Sequence, residues 1–446
     1  MPANTINRLT IQGYKSLAEE TQLELRPLTI LAGANSGGKS SVMQPLLLLK
    51  QTLASPSDPG VLEIAGPNVR FNRYDQMFFQ CPGKGKSATS MKFGFSTDPS
   101  GLGGNLVLNY RLSGQNIELQ SQEMNFPSKG MTESLRVIRE GKLSEADVDS
   151  LPNQVKVLAK DLNQRGNRRF LFMNRLSRGF LDLVLADESD PSQAFSAMTL
   201  QIDRQIRQQI LNLIHVPGLR GNPERAYLLR KTLGPRFDGP FQDYVAGIIA
   251  AWGKGDDRTL RLGESLRLLG LTWKIETREV DATRVEILVG RLKEPRRGGA
   301  RDFVNIADVG FGVSQVLPAL VALDVAVPGQ IVHLEQPEIH LHPRAQHSLA
   351  KILADSAKRD TRLVVETHSS ILIRGIQVMV ARGELDPALV KLHWFTRDDT
   401  SGVTHVDSAD LDENGAFGMD WPEDFDDTYL RAEQEYLDAV GARMLS

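Results

Sequence analysis

Residues 28–31 form an apolar run that leads into a glycine-rich turn, Gly33, Ala34, Asn35, Ser36, Gly37, Gly38, Lys39 and Ser40. Beyond the turn Val42, Leu46, Leu49 and Leu53 recur at helical spacing, with Leu47 beside them. This order of buried strand, glycine-rich loop and helix constrains the chain more than any other feature. Such a loop turns its backbone N–H groups inward around an anion, and the start of the helix adds partial positive charge. The eight residues satisfy the pattern GxxxxGK[ST] without a departure. Lys39 is placed to reach the β- and γ-phosphates of a nucleotide, and the Ser40 hydroxyl to ligate Mg²⁺. The expected ligands are therefore ATP and Mg²⁺, held by Gly33, Asn35, Ser36, Gly37, Gly38, Lys39, Ser40 and the adjoining Ser41.

A second apolar run, Ile331, Val332, His333 and Leu334, ends in Glu335, Gln336, Pro337 and Glu338. It delivers acidic groups to a strand's carboxyl end, where open α/β sheets bind their ligands. Glu335 is expected to hold the magnesium water shell opposite Ser40, because Mg²⁺ takes only one or two protein carboxylates. Gln336 falls where a general base is expected. An amide cannot take the proton of an attacking water, although it can orient one, so hydrolysis is expected to be slow. Glu338 is the candidate to supply the missing carboxylate. A third buried run, Leu363, Val364 and Val365, leads to Glu366, Thr367, His368 and Ser369, which makes His368 a candidate γ-phosphate sensor.

The rest of the composition excludes more than it assigns. At 446 residues, 41% hydrophobic and 24% charged, the chain reads as an ordinary soluble globular protein. The most apolar stretch, residues 316–334, is broken by Pro318, Asp324, Pro328, Gly329 and Gln330, so no membrane span and no secretory leader is expected. Cys81 is the only cysteine, which suits a reducing compartment, the cytoplasm by default. His340 and His342, near His333 and His347, lack a cysteine or a placed third ligand for zinc. The net charge of −3 covers a crowd of arginines at 165, 168, 169, 175 and 178 and an acidic stretch over residues 407–427. That stretch is either a solvated tail or a dock for a basic partner.

The pattern divides the chain into a first lobe over residues 1–120, a helical insertion over 121–215, a second lobe over 216–400 and an acidic tail over 401–446. Alternating runs over residues 91–119, separated by Gly and Asn or Ser turns, predict an antiparallel sheet. Leu, Gln and Arg at helical periods over 131–214 predict the insertion.

Taken in order, these motifs resemble the ABC-type ATPase heads related to the RecF, SMC and OLD proteins, over nearly the whole chain. The opening LTIQGYKSL (residues 9–17) is similar to the start of those heads and places Lys15 near the nucleotide. GFGVSQ (310–315) resembles their degenerate signature, HLEQPEIHLHP (333–343) their Walker B strand and D-loop, and ETHSS (366–370) their switch-histidine loop. The resemblance implies an α/β fold with a mixed central sheet, an attached antiparallel β-region and the helical insertion. It also implies that Gly312 and Ser314 cap the γ-phosphate bound by a second copy, so that a head-to-tail dimer or larger homo-oligomer shares its sites. Gln336 departs from the glutamate usual there, and the Q-loop glutamine falls between Gln76 and Gln80.

HVPGLRGNPERAY (215–227), NIADVGFGVSQVLP (305–318) and GMDWPEDFDD (418–427) resemble a subgroup of short prokaryotic ATPases found in antiphage systems such as Septu, PARIS and certain retrons. The expectation is an ATP-dependent sensor and scaffold governing a separate effector, such as a nuclease, with no TOPRIM domain of its own. The alternative is a RecF-like clamp that closes over DNA with the arginines at 165–178 on phosphates, which would give a steep salt dependence. A solvated helical face accounts for those arginines equally well. A transporter subunit fits poorly with the long insertion.

Overall fold

The computed structural model of the chain describes residues 5–82, 85–97, 104–128, 131–137, 141–142, 169–174, 180, 182–187, 190–198, 201–230, 232, 234–253, 255–292, 302–418 and 434–438. Two strands, β1 (Ile6–Gln12) and β2 (Thr21–Glu24), precede β3 (Leu28–Gly33), which is buried along its whole length, and helix α1 (Gln44–Ala54). Next come β4 (Ser90–Thr97), β5 (Asn105–Ser113), β6 (Asn116–Ser128) and β7 (Met131–Val137). With β1 and β2 they make the expected antiparallel sheet, ordered β2-β1-β4-β5-β6-β7. The boundary drawn at residue 120 thus falls inside β6.

The helical reading of residues 131–214 is corrected for those of them that are described; residues 143–168 and the shorter gaps around them lie outside the described residues. Besides β7, the described residues form β8 (Gly141–Lys142), β9 (Arg169–Asn174), β10 (Asp182–Asp187) and β11 (Asp190–Met198), a second antiparallel sheet. Among the described residues of this span, only α2 (Gln201–Asn212) is helical. The pairing of β9 with β10 sets Leu171 opposite Leu185 and Phe172 opposite Val184. Apolar runs of six residues are too short to separate a period of 2 from one of 3.6, and cross-strand pairing decided the outcome.

After β12 (Ile214–Val216) and β13 (Tyr227–Leu228) come α3 (Val245–Trp252) and α4 (Asp257–Leu268). A small sheet then joins β13 to β14 (Ile275–Asp281), β15 (Arg284–Gly290) and β16 (Phe303–Asn305). The chain closes with α5 (Phe311–Val325), β17 (Ile331–Glu335), α6 (Pro343–Ala357), β18 (Arg362–Glu366), α7 (Ser370–Ala381), β19 (Val390–Arg397) and β20 (Thr404–Ala409). No helix among the described residues is long and apolar enough to cross a membrane.

Six of these strands build the central sheet, in the order β12-β17-β18-β3-β19-β20. All neighbours run parallel except β20, which is antiparallel to β19. Residues 404–409 are therefore an edge strand, not part of a tail: Val406 pairs with Phe395 and Thr404 with Arg397. Alternate residues of the core strands feed two apolar layers. Ile30, Val332, Leu334 and Val365 pack with helices α3 to α7 on one side. Leu31, Ile331 and Val364 pack with α1, α2 and the first antiparallel sheet on the other. Burial on both faces explains why these strands read as continuous apolar runs. Because they run parallel, β3, β12, β17, β18 and β19 bring their carboxyl ends to one edge.

Candidate nucleotide-binding site

The glycine-rich loop leaves β3 at that edge. At Gly33, with φ of 139°, a Cβ would lie 2.3 Å from the Phe395 carbonyl oxygen on β19; at Gly38, with φ of 100°, it would lie 2.7 Å from Thr404 Oγ1. Only glycine suits this combination of left-handed backbone and close approach. The Thr404 hydroxyl stands 2.9 Å from the Gly37 carbonyl and 2.8 Å from Ser16 Oγ, so the edge strand β20 braces the loop from behind. A short 3₁₀ turn, Lys39–Val42, carries the chain into α1.

Lys39 is buried, and its ammonium donates to the carbonyls of Gly33 at 3.0 Å and Ala34 at 2.7 Å. Burial lowers its pKa, while the charge of Glu366 works the other way. Ser40 donates its hydroxyl proton to Glu366 Oε1 at 2.8 Å. Around these groups lies a cavity of about 740 Å³, lined by residues 35–41 together with Lys15, Gln76, Gln80, Gln336, Glu366 and His368.

Of the residues singled out from sequence, Lys15, Asn35, Ser36, Gly37, Gly38, Lys39, Ser40, Ser41, Gln336 and His368 thus share one cavity, with Gly33 beneath it. Lys15 takes a left-handed φ of 50° and holds its ammonium 5.1 Å from the centre of the Phe71 ring. Gln336 has a φ of 44°, and its N–H donates to the Glu366 carbonyl at 2.7 Å, which fixes the turn after β17 against the end of β18. Burial first, then the charge of Lys39, lowers the pKa of His368. Between the two Q-loop candidates, Gln76 accepts from the backbone of Asn72 and Arg73, whereas Gln80 donates to the Asp75 carbonyl.

Other candidates stand apart from the cavity. Glu338 is buried, accepts from Thr367 Oγ1 at 2.6 Å and from the His368 N–H at 3.1 Å, and is held up in pKa chiefly by burial. It serves there as a strut under the histidine turn. Glu335 accepts from His215 Nε2 at 2.9 Å and from the Gly218 N–H at 3.0 Å. Burial works to raise its pKa, but the bonds and nearby imidazoles prevail and hold it at about 2. Gly312 and Ser314 open α5, and Ser314 lines a separate cavity of about 300 Å³ with Arg220.

The structure adds residues that the sequence did not mark. Arg220, 8% exposed, donates to the carbonyls of Gln315 at 2.7 Å and Glu335 at 2.6 Å, tying the start of α5 to the end of β17. His215, His333 and Glu335 hold ligand atoms within 4.8 Å of one another. The two imidazoles, however, stack with planes only 11° apart, which keeps their in-plane lone pairs side by side and off a common point. Of the two rings only His215 holds Glu335, at 2.9 Å; both ring nitrogens of His333 are buried without a hydrogen-bond partner. His342 instead caps α6 through a bond to the Arg344 N–H.

Three features fit a magnesium-bound triphosphate: a backbone cradle that side chains would fill, a buried lysine, and a carboxylate beside Ser40 whose second oxygen, Glu366 Oε2, is buried without a hydrogen-bond partner. A phosphate loop between the strand and helix of a parallel sheet defines a P-loop nucleotide-binding fold. Residues 247–374 match a protein-family model described as "AAA domain, putative AbiEii toxin, Type IV TA system". The match takes in α5, β17 and β18 but not the phosphate loop. No curated protein matches the chain. Known structures similar to it include SMC head domains. One, bound to the C-winged helix domain of ScpA, is 12% identical and aligns over 92% of this chain and 98% of its own, with a TM-score of 0.47. One from Thermotoga maritima is 12% identical over 90% and 98%, TM-score 0.42. A third, from Pyrococcus furiosus and bound to the C-terminal domain of ScpA, is 11% identical over 91% and 96%, TM-score 0.43.

Proposed function

We propose that the chain binds ATP and Mg²⁺ at residues 33–41 and hydrolyses the nucleotide slowly, as an ABC-type ATPase head working in a head-to-tail dimer or a larger assembly of such dimers. One observation carries the reading: the phosphate loop opens into a cavity whose facing strand end presents Gln336 where a proton-accepting carboxylate is expected. The separation of Ser314 from that cavity supports a site completed by a second copy. In this reading nucleotide-driven assembly is the output, and the protein acts as a sensor and scaffold that controls a separate effector in prokaryotic antiphage defence. The subgroup motifs at 215–227, 305–318 and 418–427 support this role, as does the match to a family described by a toxin of a toxin–antitoxin system. The arginines on which the DNA-clamp alternative rests lie outside the described residues, apart from the backbone of Arg169.

The test is the mass of the purified protein in solution with and without ATP and Mg²⁺, and the identity of any protein that co-purifies from its native host. ATP with Mg²⁺ is expected to raise the assembly mass by at least one further copy. A partnerless monomer under both conditions would contradict the proposal.

A further inference from the structure

Two carboxylates end neighbouring strands at the edge that carries the phosphate loop, Glu335 on β17 and Glu366 on β18, paired in register. Sequence position favours Glu335 for the cation. Geometry favours the other. Both oxygens of Glu335 are committed, Oε1 to His215 Nε2 at 2.9 Å and Oε2 to the Gly218 N–H at 3.0 Å, and Glu335 does not line the loop cavity. Glu366 does line it, takes the Ser40 hydroxyl proton on Oε1 at 2.8 Å, and leaves Oε2 buried with no hydrogen-bond partner.

The 2.8 Å spacing between Ser40 Oγ and Glu366 Oε1 has a second meaning. Adjacent ligands of an octahedral Mg²⁺ at its usual bond length stand ~3 Å apart. The hydroxyl and the carboxylate are thus already spaced as neighbouring ligands of one small ion, with Lys39 alongside for the phosphate charge. We propose that Glu366, and not Glu335, is the protein carboxylate that holds the divalent cation of the bound nucleotide beside Ser40, directly or through one of the ion's waters. Glu335, held by His215 and the Gly218 N–H, is then a positioning residue that sets the turn carrying Gln336. This assignment rests on the reading of the loop as a site for magnesium nucleotide.

The test uses the full chain with Mn²⁺ as the probe. Its affinity is read by electron paramagnetic resonance in the presence of a non-hydrolysable ATP analogue, and metal-free nucleotide binding is read with a fluorescent analogue in EDTA. Glu366→Gln is expected to weaken Mn²⁺ binding by about tenfold or more while metal-free binding persists, and Glu335→Gln to cost less. The proposal is overturned if Glu366→Gln binds Mn²⁺ as the wild type does, or if Glu335→Gln shows the larger loss. Should Glu366→Gln lose metal-free binding as well, Glu366→Asp decides: the shortened carboxylate supports the proposal if Mn²⁺ affinity falls and refutes it if affinity is unchanged. A wild-type protein that binds no nucleotide even in EDTA would instead remove the phosphate-loop reading, and this assignment with it.

Discussion

Gln336 sits where backbone strain and chemistry meet. Its φ of 44° is uncommon for a residue with a side chain, and it is held there by the N–H bond to the Glu366 carbonyl. Strain of this kind persists only where the surroundings enforce it. An amide in that position can orient water but not accept its proton, so replacing it with a carboxylate of the same length supplies what is missing. Gln336→Glu is expected to raise ATP turnover by roughly tenfold or more while leaving nucleotide affinity nearly unchanged. Steady-state phosphate release checks this, and an unchanged rate would show that another step limits the cycle. Glu366, by contrast, sits with its pKa pushed up to about 7, first by burial and then by the neighbouring charges of Glu335 and Glu338. The Ser40 hydrogen bond and Lys39 pull the other way without prevailing.

At the scale of elements, Arg220 joins the start of α5 to the end of β17, and burial brings its pKa down to about 10. Truncating it strands buried carbonyls of Gln315 and Glu335. Arg220→Ala is expected to cost about 3 kcal/mol of unfolding free energy, measured by urea denaturation, because each orphaned polar group costs ~1–3 kcal/mol. A loss under about 1 kcal/mol would mean that water replaces the guanidinium. The same residue shows what the sequence concealed. The strand, loop and helix around residues 28–54 were legible because phosphate binding demands fixed residue types at fixed spacing. The strands of Glu335 and Glu366 were legible because burial on both faces leaves unbroken apolar runs. His215 and Arg220 lay inside the motif at 215–227, but neither they nor Thr404 carried a local signal of their place at the site. They reach the site only because parallel register sets His215 beside His333 and because β20 folds back along β19. The described strands of residues 131–137, 169–174, 182–187 and 190–198 were misread for the opposite reason: each run was too short for its period to be told, and pairing with neighbouring strands settled it.

Over the whole molecule, two buried imidazoles tie stability to pH. Burial lowers the pKa of His333 to about 3 and that of His393 to about 4. In the unfolded chain both titrate near ~6.5, so below that pH the unfolded state binds more protons than the native state. Stability is therefore fully present above ~pH 6.5 and falls as pH drops towards 4, by on the order of 3 kcal/mol for His393 alone. The carboxylate of Glu335, held at about 2, adds to the loss below ~pH 4.5. Urea melts at pH 7 and pH 4.5 measure the difference, and His393→Gln is expected to shrink it; a difference unaltered by that substitution would place the acid sensitivity elsewhere. The nucleotide site depends on the same framework, since β3, β17 and β18 reach it side by side. Its central claim is tested most directly by titrating a fluorescent ATP analogue, with Mg²⁺, into the wild type and Lys39→Ala. The wild type is expected to bind and the variant to bind about tenfold more weakly or worse, as befits a lost contact to a charged phosphate worth ~1.5–3 kcal/mol. Equal affinity in the two proteins would contradict the account.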